Sequence, residues 1–326
     1  MSITSIPIVE IAISILISWA LFSLLCSYVH EFFVQIKAER GRFLKEYLFK
    51  QLNDYPNSVN WASLLYLEGS IDLLSREYNK PTNDIDPGLF ARSLINVVGH
   101  SHIVNSRVTQ LPDDLERIYS IQILNKFKQA TIVLDRSDIL DLFQQVLADA
   151  EIKATGTNIV DEKVLYENLV LNLENWYKEF CERVSLWYKK ITRQRLFMLG
   201  VVLATVLNID TIELFTHFMK NASSSKAVNN LYQMHPGLFG NGFESNPAAG
   251  AEQLVLTVDS ISKTFLLPIG IQENIFSKSP SNYDRDISSG SAWVYKILGL
   301  LISGFAASFG GPFWFEIIKK LNTLKK

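Results

Sequence analysis

The chain has 326 residues, 48% of them hydrophobic and 20% charged, with a formal net charge of −2. That length fits one soluble domain plus a few membrane spans, and the near-neutral balance argues against a nucleic-acid binder, which needs a large basic footprint. The two cysteines, Cys26 in an apolar block and Cys181 in a polar helical stretch, do not suggest a disulfide framework.

The apolar residues are segregated into three blocks. The first, 8–29, has Pro7 and Glu10 at its start, and Lys37, Arg40, Arg42, Lys45 and Lys50 crowd the stretch behind it. No basic residue precedes the block and no small-x-small cleavage site follows it. We therefore expect an uncleaved first transmembrane helix within 1–30 rather than a signal peptide. The helix is expected to continue over 30–52, with Phe32, Phe33, Ile36, Phe43, Tyr47 and Leu48 as apolar positions and Gly41 weakening it.

The segment 31–194 reads as a helical domain. Trp61, Leu64, Leu65, Ile71 and Leu74 have helical spacing over 58–78. Pro87 suits the first turn of a helix through Phe90, Leu94 and Val97, and Pro112-Asp113-Asp114 opens another to about residue 134. Ser137 is placed to cap a helix over 138–150. A last helix begins near Asp161 and runs without a break signal into the second apolar block, 196–215.

Within that last helix, Trp176-Tyr177 and Trp187-Tyr188 lie about three turns apart, so both pairs share a face with Leu173, Phe180 and Val184. Lys189, Lys190, Arg193 and Arg195 follow directly. This set has two readings: a juxtamembrane docking surface for a partner or anionic lipid, or an apolar stripe packed on the helical domain and ended by an interfacial anchor.

The second transmembrane helix is expected over 195–217, with Asn208 and Asp210 at its outer end. There a lone carboxylate, without a partner deeper in the membrane, makes a poor proton or ion pathway. An extracytoplasmic loop is expected over 218–291. It opens on a polar linker at 221–225 and is irregular over 234–250. Residues 254–267 suggest an interfacial helix, because Asp259 and Lys263 disfavour a span. The third transmembrane helix is expected over 292–318, followed by a basic tail, 319–326. In it Gly299, Ser303, Ala307 and Gly311 recur every fourth residue, with Gly304 and Ser308 in a parallel row. Small residues at this spacing let helix backbones approach closely, either within the chain or between copies in a homo-oligomer. Gly200, Ala204 and Asn208 share the spacing and are natural partners.

The basic stretches after the first block, before the second and after the third agree on one orientation: N-terminus outside, C-terminus cytoplasmic. His100-Ser101-His102 has no further ligand at metal-site spacing and reads as a surface turn. There is no H-E-x-x-H, no phosphate loop, no G-x-S-x-G and no dinucleotide glycine fingerprint.

Three stretches carry a resemblance. They are Val9-Glu10-Ile11-Ala12-Ile13 running to Leu24-Leu25-Cys26-Ser27, Arg183-Val184-Ser185-x-Trp187-Tyr188-Lys189-Lys190 through Asn208-Ile209-Asp210-Thr211-Ile212, and Ala307-Ser308-Phe309-Gly310-Gly311-Pro312-Phe313-Trp314-Phe315-Glu316. Pro268-Ile269-Gly270 and Pro87-x-x-Phe90-Ala91-Arg92 fit the same pattern. The chain resembles an uncharacterised family of bacterial multi-pass inner-membrane proteins. The resemblance implies a bacterial inner-membrane location and supplies no activity. The chain departs from that pattern in having Gly310-Gly311 in place of Gly-Ala, and in a more polar outer loop.

The expectation is therefore an all-α protein: a three-span transmembrane bundle carrying a cytoplasmic helical domain. Its expected role is non-enzymatic, needing no cofactor. It would be a membrane anchor or scaffold, embedded in the lipid bilayer, that holds a cytoplasmic protein partner or a secretion, injection or defence assembly. The alternative is an oligomeric channel or membrane-permeabilising effector.

Overall fold

The computed structural model describes residues 7–75, 77, 80–108, 118–154, 161–234 and 290–323. The expected interfacial helix near 254–267 and the irregular stretch 235–250 lie outside the described residues. What is described is all-α apart from one two-stranded hairpin and an isolated bridge. The chain divides into two units, Val34–Tyr188 and a second made of Met1–Phe33 with Lys189–Lys326.

In the unit Val34–Tyr188, the first helix, α1 (Pro7–Lys37), ends where Ala38 turns into the left-handed region at φ 47°, and α2 (Glu39–Gln51) starts afresh. The expected continuous helix is therefore broken at Ala38 and not at Gly41. Gly41 lies inside α2 for a tertiary reason: the Pro81 carbonyl presses on its Cα, so any side chain there would collide with backbone. Its N–H also donates to Asn83 Oδ1 at 3.1 Å.

A short antiparallel hairpin, β1 (Asn53–Asp54) and β2 (Val59–Asn60), follows. Its turn is built around buried Asp54, which accepts from Asn57 Nδ2 at 3.0 Å and from Trp61 Nε1 at 3.2 Å. Asn57 Oδ1 in turn accepts from Arg107 Nη1 and from the Asp135 N–H, both at 2.9 Å. The expected helix over 58–78 is two short ones, α3 (Trp61–Leu67) and α4 (Gly69–Asp72), divided at Glu68, which accepts from Ser70 N at 3.1 Å.

The next helices start as their capping residues indicate. Asp86 Oδ1 accepts from Leu89 N at 2.9 Å and Pro87 takes the first turn of α5 (Pro87–His100). Ser101 ends α5 and caps α6 (His102–Arg107), so the His100-Ser101-His102 run is a helix–helix junction with both histidines exposed. After α7 (Tyr119–Val133), Ser137 Oγ accepts from Leu140 N at 3.0 Å to open α8 (Asp138–Ala154). Asp161 opens α9 (Glu162–Val206), a single helix of 45 residues.

The core of this unit is a continuous apolar cluster drawn from α2, α3, α5, α7, α8 and the first part of α9. Phe90, Phe127 and Phe143 are fully buried in it. Each such side chain stabilises the fold by ~1.5–3 kcal/mol relative to exposure.

In the other unit, α1 is the helix that is long and apolar enough to cross a membrane by itself. Its 31 residues extend about 46 Å, more than the ~30 Å of a bilayer core. The second and third apolar blocks are each interrupted. The end of α9 and α10 (Thr211–Lys220) meet at 55°, and α12 (Gly290–Ser308) and α13 (Gly311–Thr323) meet at 89°. Three segments meet the length and composition needed to cross if each bent pair is one span. Between the two pairs lies α11 (Ala222–Met234), a helix that includes the stretch expected to be a polar linker.

Candidate functional site: a buried polar seam at the first helix break

The break after α9 follows from the residues at the break itself. Asn208 takes a left-handed conformation, φ 53°, and ends the helix, as Asn tolerates better than most residues. Asp210 begins the next one: its Oδ1 accepts from Ile212 N at 2.9 Å and Glu213 N at 3.2 Å. Asp210-Thr211-Ile212-Glu213 thus has the acidic cap and the acid three residues on that mark a helix start.

Around this break a set of buried polar side chains converges. Lys296, nearly two turns into α12, donates to Asn208 Oδ1 at 2.6 Å and lies 3.4 Å from Glu213 Oε2. The side chains of Lys296 and Glu213 are only 12% and 10% exposed. Asp210 is buried with them and its carboxylate lies directly against the Cα of Gly299, where no other residue would fit. The expectation of a lone carboxylate at the outer end of the second block is corrected: an ammonium and a second carboxylate accompany it.

A directional relay runs past the same point. Trp19 Nε1 donates to Thr211 Oγ1 at 3.1 Å, Thr211 and Ser303 hydroxyls are 2.7 Å apart, and Ser303 Oγ donates to the Ile209 carbonyl at 2.7 Å. Each hydroxyl can accept once and donate once along this path, so the relay satisfies the carbonyl that the break releases. Beyond it, Asn221 Nδ2 donates to His217 Nδ1 at 3.4 Å. This assigns the ring proton to Nε2, which donates to Ser224 Oγ at 3.2 Å. Ser14 of α1 pairs with Ser225 Oγ at 2.7 Å, and Asn229 Nδ2 reaches the Glu10 carbonyl at 3.4 Å. The seam therefore ties α1, α10, α11 and α12 together.

The small residues of α12 face into this unit. A methyl group on Gly200 would lie 2.7 Å from Ala307 Cβ and 3.1 Å from Gly304 Cα, and one on Gly304 would strike Val201. Ser303 and Ala307 are fully buried, Ser308 donates to the Phe305 carbonyl at 2.7 Å, and Gly311 abuts Leu24 of α1. Ser23 donates to the Ala307 carbonyl at 3.3 Å.

The aromatic and basic set of α9 separates into two kinds. Tyr177 is 1% exposed and stacks on Phe90 at 4.0 Å, and Trp176 is half-buried against the same ring at 6.1 Å. Tyr177 is thus a core residue and no part of an accessible surface. Trp187 and Tyr188 pack on Tyr47 and Phe43 of α2, at 5.0 and 5.3 Å. Lys189, Lys190, Arg193 and Arg195 are exposed.

Lys296 is the residue that sequence reasoning missed. It is the sole charged side chain between Asp286 and Glu316, and a single charge inside an apolar run is itself a signal of a buried partner. Among the described residues no three His, Cys, Asp or Glu side chains are placed to hold a metal ion. No family model matches the chain, and neither a curated protein nor a solved structure does.

Proposed function

We propose that the protein is a non-enzymatic integral membrane anchor of the bacterial inner membrane. It has three spans, an outer N-terminus and a cytoplasmic C-terminus, and it holds a soluble cytoplasmic partner or a larger secretion, injection or defence assembly. The observation that carries this reading is the polar seam. A network whose members all have partners resists rearrangement, and here it fastens α1 to three other elements of the apolar unit. Such fastening suits an anchor that must transmit load without changing shape. The unit Val34–Tyr188 supplies the surface for a partner, leaving Leu67, Leu73 and Ile132 at 71%, 85% and 80% exposure.

The test is crosslinking in the native host, then extraction of the intact protein in mild detergent. One defined soluble protein should be retained in fixed proportion, and a chain that never retains one is not an anchor of this kind. Orientation is read by labelling from outside intact cells. A cysteine at the exposed position Ser223 should react and one at Asn83 should not. Reaction at Asn83 would invert the topology. The native thiols give little background: Cys26 is fully buried, and burial pushes the half-buried Cys181 thiol up, away from the reactive thiolate.

The second reading, an oligomeric channel or permeabilising effector, is favoured by Lys296, Glu213 and Asp210 lying together in an apolar unit, since such groups often line ion pathways. Reconstituted liposomes separate the two. Flux of ions or dye would establish the channel, and tight vesicles would leave the anchor.

A further inference from the structure

At the second helix break the chemistry is of another kind. Gly310 turns the chain at φ 82°, and Trp314 Nε1 donates at 2.8 Å to the Ala306 carbonyl that the end of α12 releases. Phe309 sits at the corner. It stacks on Phe313 at 4.6 Å and meets Phe305 edge-on at 4.9 Å. The Arg193 guanidinium of α9 lies over its face, 4.5 Å from the ring centroid. An arginine over an aromatic ring is held in place but keeps its N–H donors for another partner.

Below this corner α12 presents an exposed apolar row. Val294, Leu298, Leu301 and Phe305 follow the three-and-four spacing of one helix face, and all four are exposed. The row spans eleven residues of helix rise, about 16 Å, which matches half of a ~30 Å bilayer core. It ends at the aromatic corner beneath Arg193. From Arg183 to its end at Val206, α9 has no carboxylate, while Lys189, Lys190, Arg193 and Arg195 are all present. The one carboxylate of α13 is Glu316, which is exposed, and Lys319 and Lys320 follow it.

We propose that this corner binds one anionic phospholipid, its acyl chain along Val294, Leu298, Leu301 and Phe305 and its phosphate on Arg193. The inference rests on the membrane reading above. The length of the row fits one leaflet, and the single basic group at its end sits where a headgroup would lie. A zwitterionic lipid would fill the row equally well. Net negative charge, drawn by the neighbouring lysines and arginines, sets the preference.

The experiment uses the full-length protein extracted in mild detergent, given equal amounts of phosphatidylglycerol and phosphatidylcholine. Bound lipid is counted by native mass spectrometry. The wild type should retain phosphatidylglycerol in excess, and Arg193→Gln should reduce that excess about fivefold, the effect of one basic group near a charged surface. Arg193→Lys should restore part of it. Phe305→Ala should lower retention of both lipids without changing their ratio, and Lys226→Gln, at an exposed position of α11, should change nothing. Equal retention of the two lipids by the wild type, or an undiminished excess in Arg193→Gln, would overturn the proposal. So would displacement of phosphatidylglycerol by millimolar inorganic phosphate, which would mark a plain anion site. Failure of the membrane reading is seen separately, as release of the protein from membranes by alkaline carbonate. A protein that stays in the pellet and shows no preference sinks only the lipid site.

Discussion

The two helix breaks solve one problem in opposite ways. Each interrupts an apolar segment and so releases backbone groups from the helical hydrogen-bond ladder. At Asn208–Asp210 they are met by buried polar side chains from three elements, with an ion pair 3.4 Å long at the centre. At Phe309–Gly310 they are met by one indole and the Ser23 and Ser308 hydroxyls, with rings around them and an exposed arginine above. The first break is held by charge that had to be buried, the second by shape and by a glycine that takes a left-handed turn. The first is therefore fragile to loss of a single partner, and the second to loss of fit.

Lys296→Met should show the largest effect. It leaves Glu213 buried without its cation, a loss of about 3–5 kcal/mol when one member of such a pair is removed. Thermal unfolding in detergent measures it. The double variant Lys296→Met with Glu213→Leu should regain most of the loss, because removing both charges removes the need for either. A neutral Lys296→Met would mean that water reaches the pair and that the seam is not dry.

Gly304→Leu should follow. The added side chain collides with Val201 across the α9–α12 contact, and overpacking of this kind costs about 1–3 kcal/mol. Leu300→Ala, at a half-buried position of the same helix, should cost less. The reverse order would place the tight contact on another face.

Two indoles then allow a direct comparison of the breaks. Trp19→Phe removes a donor from the relay, and Trp314→Phe removes the donor at the corner. Each should cost about 1 kcal/mol, the net worth of a hydrogen bond. Trp314→Phe should also weaken the aromatic corner, so a larger loss there than at Trp19 would show that rings and not donors hold the second break.

The smallest effect lies outside both breaks and serves as their control. Partial desolvation, aided by Lys126, holds the largely exposed His100 imidazole below its ordinary value. Its folded-state value thus lies beneath the unfolded one of about 6.5. The contribution of this one group is fully present above that pH and is lost as pH falls through the lower, folded value. His100→Asn should flatten that acid limb slightly in a denaturant titration repeated from pH 7 to pH 5. An unchanged limb would assign it to other groups.

The sequence shows most clearly what is decided locally. Asp86-Pro87, Ser137 and Asp161 open their helices because a cap needs only its own first turn. The apolar blocks are visible for the same reason, since composition suffices. What stays hidden depends on partners far along the chain. Gly41 looks like a weak helix position until Pro81 is seen against it. Asp210 looks solitary because Lys296 lies on a helix that begins 80 residues later, at Gly290. Trp176-Tyr177 keeps two readings in the sequence, docking face or packed stripe, because spacing alone does not reveal that Phe90 covers the pair.

The ion pair also has a consequence for biosynthesis. Glu213 and Lys296 are separated by 83 residues of chain. At translation rates of roughly 5–20 residues per second, the ribosome needs about 4–17 s to add them. On the three-span reading proposed above, the second apolar segment would enter the membrane during that interval with its carboxylates and without the lysine that neutralises one of them. On that reading the nascent segment would wait at a wet site until α12 emerges. A stop codon placed before Lys296 should therefore leave a chain that inserts poorly and is degraded quickly, even though its first two apolar segments are intact.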